Sequence, residues 1–232
     1  MKKLGVIGAG AWGTALTTVG VRAGLETLIW AREEEVVDSI NRSHENHLYL
    51  KGVSLDPALK ATSDMADLKA CEIILMVAPA QHLRSVSAIL NDHISSNIPI
   101  LICSKGIEVS SGKLMSTVLS ETMPDNPIGV LSGPTFAAET SRNMITALTL
   151  AMKDEKLGLD IVQTLGLPTF RPYFSSDVIG AQIGGAIKNI IAIASGIVAG
   201  LGLGENAKAA LITRGLNEMQ RFGLSRGARS ET

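Results

Sequence analysis

Gly8-Ala9-Gly10-Ala11-Trp12-Gly13 carries the spacing Gly-x-Gly-x-x-Gly. Between a strand and a helix that spacing suits a pyrophosphate. Gly8 permits a tight turn, Gly10 lets the backbone approach the phosphates, Gly13 allows close helix–strand packing, and the helix start offers free amides to the anion. Two lysines also stand apart. Lys105 follows the apolar run Ile98–Cys103 after a single serine, in Cys-Ser-Lys-Gly-Ile-Glu. There it is either a ligand-binding residue over a sheet edge or an exposed structural lysine. Lys188 is the only charged residue between Asp177 and Glu205. A lysine in such a stretch bears a desolvation cost unless it faces a cleft or a partner, and burial favours the neutral amine used in acid–base chemistry. A catalytic lysine at a domain interface is expected; the alternative is a lysine paired to a buried carboxylate.

These residues need elements to position them. Leu4–Ile7 reads as a strand, Trp12–Ala23 as a helix stopped by Gly24, and Thr27–Trp30 as a second strand, closing a βαβ unit in about thirty residues. Glu33–Ile40 reads as the next helix, with acids in its first turn. Ile73–Val77, Ile98–Cys103 and Ile128–Leu131 are continuous apolar runs ending in loop residues, the pattern of strands buried on both faces of a parallel sheet; Ile145–Met152 and Thr169–Phe174 read as later strands. The fold class is α/β, a Rossmann-like doubly wound, mostly parallel sheet followed by the start of an all-α C-terminal domain. The expected units are residues 1–182, a dinucleotide-binding domain, and 183–232, the N-terminal part of a helical domain. The apolar segment around Lys188 is expected to form a central core helix rather than a membrane span, because Gln182, Lys188 and Asn189 interrupt it and basic or aromatic flanks are missing.

Trp30-Ala31-Arg32-Glu33 ends the second strand, where an acid suits a ribose 2′-hydroxyl and an arginine a 2′-phosphate. Arg32 favours NADP(H), and Glu33 leaves NAD(H) open; Arg32 as a solvated surface charge is the other reading. Lys+Arg 21 against Asp+Glu 22 leaves a net charge of -1, and without a basic cluster there is no footprint for nucleic acid. Cys71 and Cys103 lie in or at the end of apolar runs without metal-ligand spacing, so reduced core thiols, a cytoplasmic location and no metal are expected. The first residues read as a strand rather than a signal peptide.

Taken together these segments resemble the bacterial-type NAD(P)-dependent glycerol-3-phosphate dehydrogenases. The matching stretches are Gly8–Leu16, Ser104-Lys105-Gly106, Leu131–Ala137, Gly185–Gly196 and Asn206–Leu216. The resemblance implies reversible hydride transfer between a nicotinamide and dihydroxyacetone phosphate or sn-glycerol 3-phosphate, for phospholipid synthesis. By position it makes Lys188 the acid–base residue and has Lys105 contact substrate and nicotinamide. Gly133 and Thr135 would touch substrate; Ala11, Trp12, Arg32, Tyr49 and Ala137 would contact cofactor. It further implies a homodimer through the helical domain. Asn143-Met144-Ile145-Thr146 replaces a Gly-Leu-Pro-Thr-like turn of the family, and residues 217–232 contain neither its Gly-Leu-Gly-Asp segment nor its Ser-Arg-Asn-Arg motif. The helical domain is therefore expected to be truncated. Two alternatives stand: a related lysine-dependent β-hydroxyacid dehydrogenase or ketopantoate reductase, and a non-catalytic NAD(P)-binding module.

Overall fold

Short apolar runs bounded by loop residues become the strands of one sheet. The computed structural model describes residues 1–232. In chain order the first half runs β1 (Lys3–Ile7), α1 (Ala11–Arg22), β2 (Glu26–Trp30), α2 (Glu34–Asp38), β3 (Lys60–Thr62), β4 (Ile73–Met76), α3 (Leu83–Asn91), β5 (Ile100–Ile102) and α4 (Met115–Thr122). The second half runs β6 (Ile128–Ser132), α5 (Ala137–Ser141), β7 (Thr146–Met152), α6 (Glu155–Leu165), β8 (Phe170–Ser175), α7 (Val178–Gly200) and α8 (Glu205–Ser225).

The strand order is β3-β2-β1-β4-β5-β6-β7-β8. Every neighbouring pair is parallel except β6 and β7. Strand order reverses between β1 and β4, and a crevice opens there beyond the strands' carboxyl ends. Successive residues serve opposite cores: Val6 and Leu75 join one, while Ile7, Ile74 and Met76 join the other with Val118 and Leu119 of α4. Each layer of helices thereby covers one face of the sheet. Cys71 and Cys103 are buried and free, as core thiols should be, and burial raises both thiol pKa values, that of Cys71 to about 11.

Two features differ from the sequence reading. β3 is a three-residue strand with only Ala61 buried, too short to give an apolar signal. α7 is not a central core helix. Val178, Gln182, Ile183 and Gly185 are buried, but Ile190 and Ile193 are 65% and 66% exposed, with α8 as the main neighbour of this outer half. Apolar content measures a helix's tendency to be covered; it does not supply the cover. By length and composition α7 could cross a membrane.

Candidate active site

The glycine turn joins β1 to α1. Gly8 has φ +107, a conformation costly for L side chains, and its amide donates to the Trp30 carbonyl at 3.0 Å. A Cβ on Gly13 would stand 1.8 Å from the Gly8 carbonyl oxygen, so α1 can start against the turn only with glycine there. Gly10 is different. A Cβ on it would meet nothing within 4 Å, so protein packing does not require glycine; approach by a ligand would. No side chain caps α1 and no acid occupies its first turn, which leaves the helix start, Ala11 and Trp12 included, open to an anion. The residues present therefore fit a dinucleotide pyrophosphate.

Asn46 holds this turn from outside. It is fully buried, its Nδ2 donates to the Ala9 carbonyl and the Thr14 hydroxyl, both at 2.8 Å, and its Oδ1 accepts from the Tyr49 amide at 3.0 Å. Sequence reasoning missed it, because nothing in His44-Glu45-Asn46-His47 shows which polar residue turns inward. Tyr49 is thus tethered to the glycine turn, although its side chain is exposed. At the end of β2, Arg32 is 79% exposed and donates to Glu33 at 2.9 Å. The two residues that could select between ribose forms are paired with each other.

A cavity of roughly 370 Å³ beyond β1, β4 and β5 is lined by Trp12, Ala80, Ser104, Lys105, Thr135 and Ala137, among others. The Ser104 hydroxyl is buried without a hydrogen-bond partner. A second cavity of roughly 230 Å³ is lined by Gly133, Gly185, Lys188 and Thr232, among others. Gly133 joins the two: its carbonyl accepts from Lys105 Nζ and from Lys188 Nζ, each at 3.2 Å. A Cβ on Gly133 would lie 2.7 Å from Leu148 Cβ, and one on Gly185 would lie 2.8 Å from Ser132 Oγ. Both glycines permit the approach that lets lysines from the loop after β5 and from α7 share one acceptor. A concavity of roughly 720 Å³ along α4 contains none of these residues.

The electrostatics follow from the geometry. Neither lysine is paired to a carboxylate, so the alternative of a buried ion pair for Lys188 is not what the structure holds. Burial, then the facing Lys188 ammonium, pushes Lys105 down to about 8. Asn143 adopts φ 64, which asparagine tolerates, and its Oδ1 accepts from the Thr169 hydroxyl. Residues 226–232 fold back so that the Arg229 amide donates to Asp177 at 2.8 Å.

A doubly wound sheet, a glycine turn open to a pyrophosphate and two convergent lysines at the carboxyl edge define an NAD(P)-dependent oxidoreductase. The N-terminal profile of NAD-dependent glycerol-3-phosphate dehydrogenase matches residues 3–158, and the C-terminal profile of the same enzymes matches residues 177–232. The chain belongs to the NAD-dependent glycerol-3-phosphate dehydrogenase family. A glycerol-3-phosphate dehydrogenase [NAD(P)+] of Paramagnetospirillum magneticum is 54% identical over all of this chain and 84% of its own length; that of Caulobacter vibrioides is 53% identical over 100% and 70%. The structure of glycerol-3-phosphate dehydrogenase from Coxiella burnetii superimposes with a TM-score of 0.93 at 36% identity, covering 99% of this chain and 71% of that one. A ketopantoate reductase from Ralstonia eutropha, at 16% identity and TM-score 0.61, shares the fold alone.

Proposed function

We propose that this protein reversibly reduces dihydroxyacetone phosphate to sn-glycerol 3-phosphate in the cytoplasm, supplying the backbone of glycerophospholipids. The observation that carries this reading is the convergence of two unpaired lysine amines on the Gly133 carbonyl beside an open glycine turn. Bound NAD(P)H supplies the hydride. Gly8, Gly10, Ala11, Trp12 and Gly13 would hold its pyrophosphate end, Arg32 and Tyr49 its adenosine end, and Lys105 and Ala137 would contact the nicotinamide. Arg32 gives NADP(H) the preference once it leaves Glu33 for a 2′-phosphate.

Gly133, Thr135, Lys105 and Lys188 surround the substrate. Lys188 Nζ donates a proton to the carbonyl oxygen as that oxygen gains charge, and takes it back in the reverse direction. Lys105 keeps the carbonyl in line for attack, and its positive charge stabilises the developing alkoxide. Residues 1–182 form the nucleotide-binding unit and 183–232 begin a helical unit that pairs two copies of the chain. From residue 183 onward α7 belongs to that unit; the helix does not cross a membrane, and the protein takes neither nucleic acid nor metal.

The test is to mix the purified chain with NADPH and dihydroxyacetone phosphate and follow nicotinamide absorbance. Oxidation that depends on the phosphorylated ketone supports the proposal. Cofactor binding without turnover supports a non-catalytic module, and turnover of another oxo acid supports the β-hydroxyacid or ketopantoate reading.

A further inference from the structure

The loop that carries Lys105 is held by the connection after β4. Ala80–His82 forms one tight helical turn leading into α3. From it, Gln81 Nε2 donates to the Ile107 carbonyl while Gln81 Oε1 accepts from the Val109 amide, both at 2.9 Å. Between those two residues Glu108 turns inward, 4% exposed, and accepts from Arg84 Nε and Nη2, each at 2.9 Å, and from the Ser111 hydroxyl. Arg84 also meets Glu121, which pairs with Lys113, so two cations and two carboxylates close the network. On the other side of Lys105, Gly106 has φ +152, and a Cβ there would stand 2.8 Å from the Ala80 Cβ. The two connections touch with no room for a side chain between them.

We propose that Gln81 and the Arg84–Glu108 pair are positioning residues for the reaction: they clamp the Lys105 loop to the Ala80 wall, so that the lysine and that wall of the crevice form one body. Each bond is placed for this. Gln81 fixes the backbone two and four residues after Lys105 from a segment whose neighbour Ala80 lines the same cavity as Lys105. A bidentate arginine–carboxylate pair fixes direction as well as distance, and removing one partner leaves a buried charge uncompensated. Without the clamp the loop is free to withdraw Lys105 from the Gly133 carbonyl, where Lys188 faces it from α7 and the Cys103 thiol lies behind it.

The proposal rests on Lys105 acting as the substrate-positioning lysine, so its test includes a readout that does not need turnover. Lysines of the full chain are reductively dimethylated with ¹³C-formaldehyde and a borane reductant, the Lys105 signal is assigned with Lys105→Arg, and its titration is followed by NMR in the parent, Gln81→Ala and Glu108→Gln. The expected parent midpoint is near 8, and release of the loop moves it toward the ordinary 10.5. In turnover assays the KM for dihydroxyacetone phosphate rises and kcat falls about tenfold, with NADPH affinity kept. Identical Lys105 midpoints in the parent and in folded Gln81→Ala overturn the proposal. Gln81 is exposed, so that variant decides the matter even if Glu108→Gln fails to fold. A parent that binds NADPH but does not reduce the ketone refutes the substrate reading, while the titration still decides the clamp.

Discussion

The two sides of the site are built on different principles. On the cofactor side, backbone sterics leave almost no freedom: Gly13 lies under the Gly8 carbonyl, and Asn46 pins the turn from a buried position. On the other side, Lys188 rides on a helix whose outer half is exposed. That helix is located by a few anchors at its start. Asp177 accepts from the Gly180 and Arg229 amides, Gln182 exchanges bonds with Ser116 of α4 at 2.8 Å, and Gly185 packs against Ser132. Binding is thus written into a rigid turn, whereas proton chemistry depends on how a lightly anchored helix is seated. Substitutions on the two sides should separate affinity from rate.

The largest effect is expected from Gly13→Ala, whose methyl would overlap the backbone oxygen of Gly8. It should weaken NADPH binding at least ~100-fold or cost about 3 kcal/mol of stability, read by fluorescence titration and urea unfolding. Wild-type affinity together with wild-type stability would break the claim that this side is sterically determined. Gly185→Val comes next. Pushing α7 away from Ser132 should lower kcat about 10- to 100-fold with NADPH affinity unchanged, because Lys188 lies one turn further along the same helix. A matched loss of affinity would show that the two sides are not separable.

Arg32→Ala should raise the KM for NADPH about tenfold, with little change for NADH, since only a 2′-phosphate offers the guanidinium a charge-assisted partner. Equal effects on both cofactors would return Arg32 to the surface role its pairing with Glu33 allows. The smallest effect is expected at Asp177. Burial raises its pKa, but the bonds from the Arg229 and Gly180 amides outweigh burial and hold it below its ordinary 3.8. Its contribution is therefore present above that value and lost as pH falls through the lower folded value. Asp177→Ala should cost about 1 kcal/mol near neutrality and flatten the acid limb of stability against pH. An unchanged acid limb would remove Asp177 from the anchors of α7.

The strands and the glycine turn were legible because a strand buried on both faces announces itself as an apolar run, and Gly8, Gly10 and Gly13 have a fixed mechanical reason for their spacing. Strand direction was not, since Thr146–Met152 has the same apolar composition whichever way it runs. β3 was too short to register. Lys105 and Lys188 could be singled out by position and isolation, but not their shared acceptor, which joins residues 28 and 55 positions away from it along the chain. Asn46, Gln81 and Glu108 escaped for one common reason. Each is fixed by hydrogen-bond partners distant in sequence, and composition carries no trace of them.

The central claim is that Lys188 moves the proton while the glycine turn holds the cofactor. It is tested most directly by comparing Lys188→Ala with the parent for NADPH affinity by fluorescence and for kcat with dihydroxyacetone phosphate. The expected result is an unchanged dissociation constant with kcat reduced about 10²- to 10⁴-fold, as for loss of a general acid. A variant that retains kcat within about twofold would contradict the account, since a general acid's removal costs far more than that.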